Sequence, residues 1–198
     1  MFEIFEAHIR SKIELTQDEL KLIRSLASMK KLRRRQFLLQ EGDVCRHKVF
    51  VCKGLLKAYR LKDNGAEYIM RFAAENTWIA DHESYMNRTP AKNNIEAIED
   101  TEVLMWTAEQ VGQLYTTVPA FKTYTDRLIS NTLDDSQDRI LANISYTAEE
   151  KYDHFIQSFP DVFARVPLHM VASYLGVSRE TLSRVRNARV RQQGDDAA

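Results

Sequence analysis

The spacing of hydrophobic residues divides the chain into a strand-rich region flanked by helical regions. Near the N-terminus, Thr16 is a candidate helix cap, and Leu20, Ile23 and Leu26 follow it at helical spacing, so one short helix is predicted there. From about Lys31 to Trp106, hydrophobic residues instead form short runs separated by Gly, Asp and Asn. These runs are FLLQ, KVFVC, LLKAYRL, EYIMRF, TWIA, NNIEAI and TEVLMW. Many short strands at this spacing predict an antiparallel barrel or sandwich.

A long helix is predicted after the strand-rich region. AEQVGQLYTTV is typical of a short helix, and Pro119 then suits the first turn of a second helix that continues to about residue 144. Its best apolar line has spacings of four, seven and four, and consists of Ile129, Leu133, Ile140 and Ile144. Such a narrow seam either packs on the barrel or pairs with its copy in a second chain. The near-heptad spacing on so long a helix favours pairing, and we therefore expect a homodimer.

The segment ASYLGVSRETLSRVRNAR, Ala172 to Arg189, is typical of a helix-turn-helix. This motif needs a small residue where its helices touch, a glycine in the turn and an apolar residue that locks the second helix. Ala172, Gly176 and Leu182 supply these in order, and Ser178 lies where the N-cap of the second helix belongs. The first turns of that helix enter the major groove in such motifs, so the segment predicts binding to double-stranded DNA.

The whole chain has 28 basic and 28 acidic residues and a net charge of zero. The local charge around the predicted helix-turn-helix nevertheless supports DNA binding. Residues 163–193 carry six arginines against one acid, Glu180, a net charge of +5. This concentration suits the phosphate backbone of DNA. A solvated surface helix is the alternative, but it would not require the turn glycine, the cap and the apolar lock together. The basic run Lys30 to Arg35 is interpreted as the solvated start of a strand.

Several classes of protein are excluded by what the sequence lacks. No apolar run reaches membrane-spanning length and no signal peptide is present, so a cytoplasmic protein without a membrane partner is expected. Cys45 and Cys52 form no CxxC pair, and the histidines have no metal-binding spacing, so no metal site is predicted. A redox role for these thiols, and haem binding through His47 or His82, are the alternatives. No catalytic constellation can be assembled, which argues against an enzyme.

The order of these elements resembles the Crp/Fnr (catabolite-activator and fumarate-nitrate-regulator) transcription factors over almost the whole chain. QEGD, Gln40 to Asp43, and VFVCKG, Val49 to Gly54, look like the opening of a cyclic-nucleotide-binding domain, and SRETLSR, Ser178 to Arg184, is similar to the family's recognition helix. The resemblance implies an α+β fold with an antiparallel β-barrel of the jelly-roll type, a long dimerisation helix and a C-terminal helix-turn-helix. Its implied domains are residues 1–118, 119–144 and 145–198.

Carried over residue by residue, the resemblance implies base contacts by Arg179, Glu180 and Arg184 and phosphate contacts by Ser178 and Thr181. Arginine can donate to O6 and N7 of guanine, and glutamate can accept from the cytosine amino group. Family members with this R-E-x-x-x-R arrangement read TGTGA-like half-sites, so a palindrome of such words is expected. The few residues from 190 onward show no hairpin pattern, which makes the family's wing shortened or absent. The end of the helix would then supply further phosphate contacts, through Arg186, Arg189 and Arg191.

The cassette that grips a cyclic nucleotide in this family is degenerate here. The family has a glycine-glutamate step and then an arginine, whereas this chain has Ala80-Asp81 and, near the arginine position, Ala91. Losing a charge-assisted hydrogen bond costs about 1.5–3 kcal/mol, and lysine cannot reproduce the bidentate fork of arginine. Cyclic nucleotide is therefore less favoured than another small ligand or no ligand, and no cofactor is assigned. The candidate pocket residues are Asp81, His82, Glu83, Arg88 and Lys92.

The sequence thus predicts a dimeric, sequence-specific transcription regulator with a sensor barrel that a small-molecule effector would control. The alternative is a small-ligand-binding or partner-docking dimer that does not read DNA.

Overall fold

The computed structural model describes residues 1–195, with side chains described for residues 1–189. The elements of the N-terminal part are α1 (Phe2–Arg10), α2 (Gln17–Leu26), β1 (Ser28–Leu32), β2 (Phe37–Leu39), β3 (His47–Lys53), β4 (Leu56–Leu61), β5 (Glu67–Ala73), β6 (Trp78–Ile79), α3 (His82–Asn87), β7 (Asn94–Ala97), β8 (Thr101–Thr107) and α4 (Ala108–Thr117). The elements that follow are α5 (Pro119–Ser145), α6 (Ala148–Ser158), α7 (Pro160–Arg165), α8 (Leu168–Leu175) and α9 (Arg179–Asp195).

The strands form two four-stranded sheets, in the orders β1-β8-β3-β6 and β2-β7-β4-β5. The pairs β1–β8, β2–β7, β3–β6, β3–β8 and β4–β7 are antiparallel, as in a jelly roll. Every run predicted as a strand contains one, because glycine and other turn residues separate the runs. Side chains alternate along each strand, so Val51 and Val103 of the first sheet and Leu56 and Ile95 of the second share one buried core.

A second core covers the other face of the first sheet. Phe50 of β3 and Trp106 of β8 pack there against Phe5 of α1 and Phe121 of α5. The Trp106 indole donates to the Ile23 carbonyl at 3.0 Å, which ties α2 to the sheet. Helix α2 begins as predicted, with a capping box on Thr16. Helix α1 was not predicted, although its buried residues Phe2, Phe5 and Ile9 have helical spacing.

The chain divides into two compact units whose boundary falls inside α5. The first contains Met1–Arg60 and Arg71–Thr132; the second contains Leu61–Met70 and the residues from 133 onward. The three-domain division at residues 118/119 and 144/145 remains a prediction.

The second unit is built on the packing of α6, α8 and α9. Its buried side chains include Tyr152 and Phe155 of α6, Leu175 of α8, and Leu182 and Val185 of α9. Tyr152 and Phe155 lie on the buried face of α6, whereas Phe159, which follows that helix, is exposed. No helix within residues 1–195 combines the length and the apolar character needed to cross a membrane.

Candidate DNA-reading helix and ligand cassette

The turn between α8 and α9 has the geometry that the sequence predicts. Gly176 has φ of 67°, a left-handed conformation that favours glycine, and it ends α8. The Val177 amide donates to the Ala172 carbonyl at 3.1 Å, which closes the turn. Ala172 and Leu182 are both buried, so α8 and α9 pack through a small residue and an apolar residue. The turn thereby fixes how α9 leaves the rest of the second unit.

Ser178 caps α9. Its hydroxyl accepts from the Thr181 amide at 3.1 Å, and its carbonyl accepts from the Leu182 amide at 3.0 Å. The Ser178 and Thr181 hydroxyl oxygens are 3.0 Å apart. Both residues were predicted to hold phosphates, and both belong to the helix start, where backbone N–H groups already favour an anion.

The three residues predicted to contact bases share one exposed face of α9. At about 100° per residue, Arg179, Glu180 and Arg184 fall within an arc of about 140°. All three are exposed, whereas Leu182 and Val185 are buried on the other side of the helix. Neither arginine forms an ion pair with another side chain of the described part of the chain. This face therefore presents charged groups without carboxylate partners to the surroundings.

The carboxylate of Glu180 is held in its ionised form. Hydrogen bonds from its own backbone N–H and from the Ser178 hydroxyl, together with the charge of Arg179, lower its pKa. An ionised glutamate is an acceptor only, as the predicted contact with a cytosine amino group requires. The Arg184 guanidinium lies 3.5 Å from the Thr181 hydroxyl.

The arginines towards the end of α9 differ in their environment. Arg186 is exposed. Arg189 is half-buried, and its guanidinium pairs with the Asp153 carboxylate of α6, with Nε 3.2 Å from Oδ1. This pair joins α9 to α6 within the second unit. The side chain of Arg191, the last of the three arginines predicted to contact phosphates, lies outside the described residues.

The predicted ligand cassette surrounds α3, and the carboxylate of its central acid, Asp81, already accepts hydrogen bonds from the protein. Asp81 is buried and caps α3 by accepting from the Ser84 amide at 3.1 Å. Its other oxygen accepts from the Asn93 backbone and side-chain nitrogens at 3.2 and 2.6 Å. Three donors therefore satisfy the carboxylate that would receive a ribose hydroxyl.

The remaining charged residues of the cassette also pair with neighbours. Lys92 donates to Glu83 at 2.7 Å, and Arg88 donates to Glu109 of α4 at 2.5 Å. The Arg88 hydrogen bond is the largest cause of the lowering of the Glu109 pKa to about 2. Ala91, near the family's arginine position, is a buried alanine. The structure thus brings Asp81, Glu83 and Lys92 into one cassette, turns Arg88 towards α4 and leaves His82 exposed.

Comparisons with known proteins agree with this architecture. Residues 29–117 match the cyclic nucleotide-binding domain family. The transcriptional activator Anr of Pseudomonas protegens is 27% identical over 165 residues, which cover 78% of this chain and 67% of Anr. FixK2 from Bradyrhizobium japonicum has a TM-score of 0.73 at 19% identity, covering 85% of this chain and 86% of its own. Together these matches support a regulator of the Crp/Fnr type.

The fold of this Crp/Fnr regulator is shared more widely among solved structures. The Thermus thermophilus catabolite activator protein matches it with a TM-score of 0.57 at 21% identity, covering 90% of this chain and 85% of its own. The regulator is of the DNA-binding Crp/Fnr type, and proteins of this type are not enzymes.

The two thiols of the regulator are buried in the first unit, and neither forms a disulfide. Burial raises the pKa of Cys45 and raises that of Cys52 to about 11. Both are therefore protonated near neutral pH, whereas a reactive cysteine needs its thiolate form. Among the described residues, no group of three His, Cys, Asp or Glu side chains is arranged to hold a metal ion.

Sequence reasoning missed Arg139, which organises the second unit of the regulator. Its guanidinium donates to the carbonyls of Met70, Ile69 and Tyr174, the last two at 3.0 Å, and stacks 4.1 Å above the Tyr174 ring. Ser173 of α8 completes the contact, because its hydroxyl accepts from the Ile69 amide at 3.0 Å. The hairpin tip of residues 61–70 is thereby fixed to α8. These contacts join residues 35 to 104 positions apart, so no local sequence signal indicates them.

Proposed function

We propose that this regulator acts in the cytoplasm as a homodimer that reads a palindromic DNA site through α9, under the control of a small ligand in its N-terminal barrel. The observation that carries the proposal is the exposed face of Arg179, Glu180 and Arg184. Their charged groups are oriented by a capped helix and have no competing ion pairs with other elements of the described chain. Each good base contact of this kind discriminates by about 1–3 kcal/mol.

The dimer is supported by the apolar seam of α5. Ile129, Leu133, Ile140 and Ile144 lie within an arc of about 60° on the helix. Their exposed fractions in the single chain are 44, 59, 60 and 79%. Apolar side chains lined up in this way gain most when a second copy covers them. A two-fold pair would present two copies of α9 to successive major grooves, about 34–36 Å apart.

Ligand control is supported by the match to the cyclic nucleotide-binding domain family. The groups that would hold a cyclic nucleotide are engaged with one another, and the arginine position is an alanine. The effector is therefore proposed to be a different small molecule. Its binding would shift the population between two arrangements of the paired recognition helices.

Selection of bound duplexes from a random pool, at two salt concentrations, tests the proposal directly. We expect a palindrome of TGTGA-like half-sites one DNA turn apart, and an affinity that falls steeply with salt because several arginines contact phosphates. Enrichment of a single unpaired half-site would contradict the dimeric part of the proposal. No enrichment at either salt concentration would contradict DNA reading and favour the alternative of a ligand-binding or partner-docking dimer.

A further inference from the structure

A cavity of about 350 Å³ opens into the barrel of the first unit beside the start of β3. Its lining includes Ala80 but none of Asp81, His82, Glu83, Arg88 or Lys92. It is therefore a different set of side chains from the cassette around α3. Its volume lies at the lower end of the range of small-molecule sites, about 300–1,000 Å³.

The inner part of the cavity is apolar. Leu39, Val49 and Ile95 line it from both sheets and are buried, and Met105 of β8 adds a flexible side chain. Cys45 also lines it, and the thiol donates to the His47 carbonyl at 3.6 Å. Because burial raises the pKa of this thiol, Cys45 contributes an uncharged wall and no reactive group. This part of the cavity suits an aliphatic or aromatic body.

The mouth of the cavity is basic. Lys30 of β1, Arg46 and His47 line it, and Asp43 is the acid among the lining residues. Burial is the main cause of the lowered pKa of His47, and the nearby charges of Lys30 and Arg46 lower it further while Glu109 opposes them. The imidazole is therefore neutral near pH 7. In the described part of the chain, neither Lys30 nor Arg46 has a carboxylate within ion-pair distance.

Counting Lys30 and Arg46 against Asp43 gives the mouth a net charge of +1. One uncompensated positive charge suits a monoanion better than a dianionic phosphate group. We propose that this cavity binds a monocarboxylate with an apolar body, whose carboxylate lies between Lys30 and Arg46 and whose tail packs against Leu39, Val49 and Ile95. This inference rests on the ligand control proposed above and names the chemical class of the effector.

Calorimetric titration of the full chain with three probes of one chain length, octanoate, octanol and octylamine, tests the charge preference. We expect octanoate to bind at least about tenfold more tightly than either other probe, since only octanoate can pair with both cations. Equal affinity for octanoate and octanol would overturn the role of the cations. Absence of binding by all three probes would overturn the site itself.

Substitutions locate the site and keep the test independent of folding. Lys30→Gln and Arg46→Gln are each expected to weaken octanoate about three- to tenfold while leaving octanol unchanged. Arg33→Gln is the matched control, because Arg33 is exposed just after β1 and does not line the cavity. A loss in Arg33→Gln as large as in Arg46→Gln would mean that octanoate senses only general surface charge, and would overturn the proposal.

A separate DNA measurement distinguishes this inference from the proposed function. Fluorescence anisotropy with a selected duplex, with and without octanoate, is expected to show a change of at least about threefold in DNA affinity. If octanoate binds but DNA affinity does not change, the cavity stands and ligand control through it fails. If no duplex is bound under any condition while octanoate still binds, the DNA-reading proposal fails and the carboxylate site stands.

Discussion

Two regions are rich in charged residues but use them differently: the predicted reading face of α9, formed by Arg179, Glu180 and Arg184, and the cassette around α3. On α9, Arg179 and Arg184 are exposed and form no ion pair with another side chain of the described residues. Around α3, Glu83 pairs with Lys92 and Arg88 with Glu109. A ligand at α9 would meet unpaired donors, whereas a ligand at α3 would first have to break existing pairs. Charge content alone therefore does not identify a binding site.

The same contrast explains how the cassette can resemble the family's cassette in structure while it lacks the groups that bind a cyclic nucleotide. Asp81 remains at the helix start, but its oxygens stabilise α3 and the loop that carries Asn93. A buried carboxylate that lost these three donors would be left unsatisfied, which is costly. Asp81 thus has a structural role in this cassette, whereas Lys30 and Arg46, which form no ion pair among the described residues, line the cavity beside β3.

The largest expected effect concerns the proposed pairing of two α5 helices, which would place a second copy of α9 on the other half of the palindrome. Introducing Ile140→Asp and Ile144→Asp together places charges on the seam of α5. We expect monomers, and a loss of affinity for the palindrome of more than about 100-fold, because the second α9 no longer binds intramolecularly. Sedimentation and fluorescence anisotropy measure the two effects. Asn131→Asp, on the opposite face of α5, is the control and should leave both unchanged.

Thiol chemistry tests whether the first unit could sense oxidants. With the pKa of Cys52 raised to about 11 and that of Cys45 also raised, both thiols are protonated at pH 8. We expect iodoacetamide to modify the folded protein roughly 100-fold more slowly than it modifies a free thiol. The rate should rise as the pH approaches 11, and unfolding in urea should abolish the protection. Rapid modification of the folded protein at pH 8 would show that one of these cysteines can act as a sensor.

The sequence predicted local features well and long-range pairs poorly. Strands β2 to β8, the Thr16 cap, the turn at Gly176 and the Ser178 cap were predicted, and they depend on residues that are neighbours in the chain. The pairing of Arg88 with Glu109 joins residues 21 positions apart, and that of Arg189 with Asp153 joins residues 36 apart. Such contacts depend on packing, which no spacing rule reports. Only the structure therefore shows that the charged residues of the cassette already pair with neighbouring side chains.

Two substitutions in α9 distinguish a contact with a base from a contact with a phosphate. Arg179→Ala should weaken the preferred site about 5- to 150-fold and relax selectivity at one guanine, because that contact discriminates by about 1–3 kcal/mol. Arg186→Ala should weaken all duplexes alike and reduce the salt slope by about one. Repeating the duplex selection with each variant measures both effects. If Arg179→Ala weakens every sequence equally, Arg179 contacts phosphate and the predicted reading face is wrong.

The smallest effect is expected from Asp153→Asn, which tests whether Arg189 can leave its ion pair with Asp153 to contact DNA. Asp153→Asn removes a negative charge near the predicted DNA backbone and breaks the ion pair between Asp153 and the Arg189 guanidinium, so affinity for all duplexes should rise about two- to fivefold. The half-exposed pair should contribute at most about 1 kcal/mol to the free energy of unfolding, which thermal melting measures. Arg189→Gln is the companion variant, and it should lower the affinity for every duplex. A loss of stability in Asp153→Asn with no gain in DNA affinity would mean that Arg189 only anchors α9 to α6. The second unit would then contain both kinds of charge, the exposed Arg179 and Arg184 of the predicted reading face and the structural ion pair of Arg189 with Asp153.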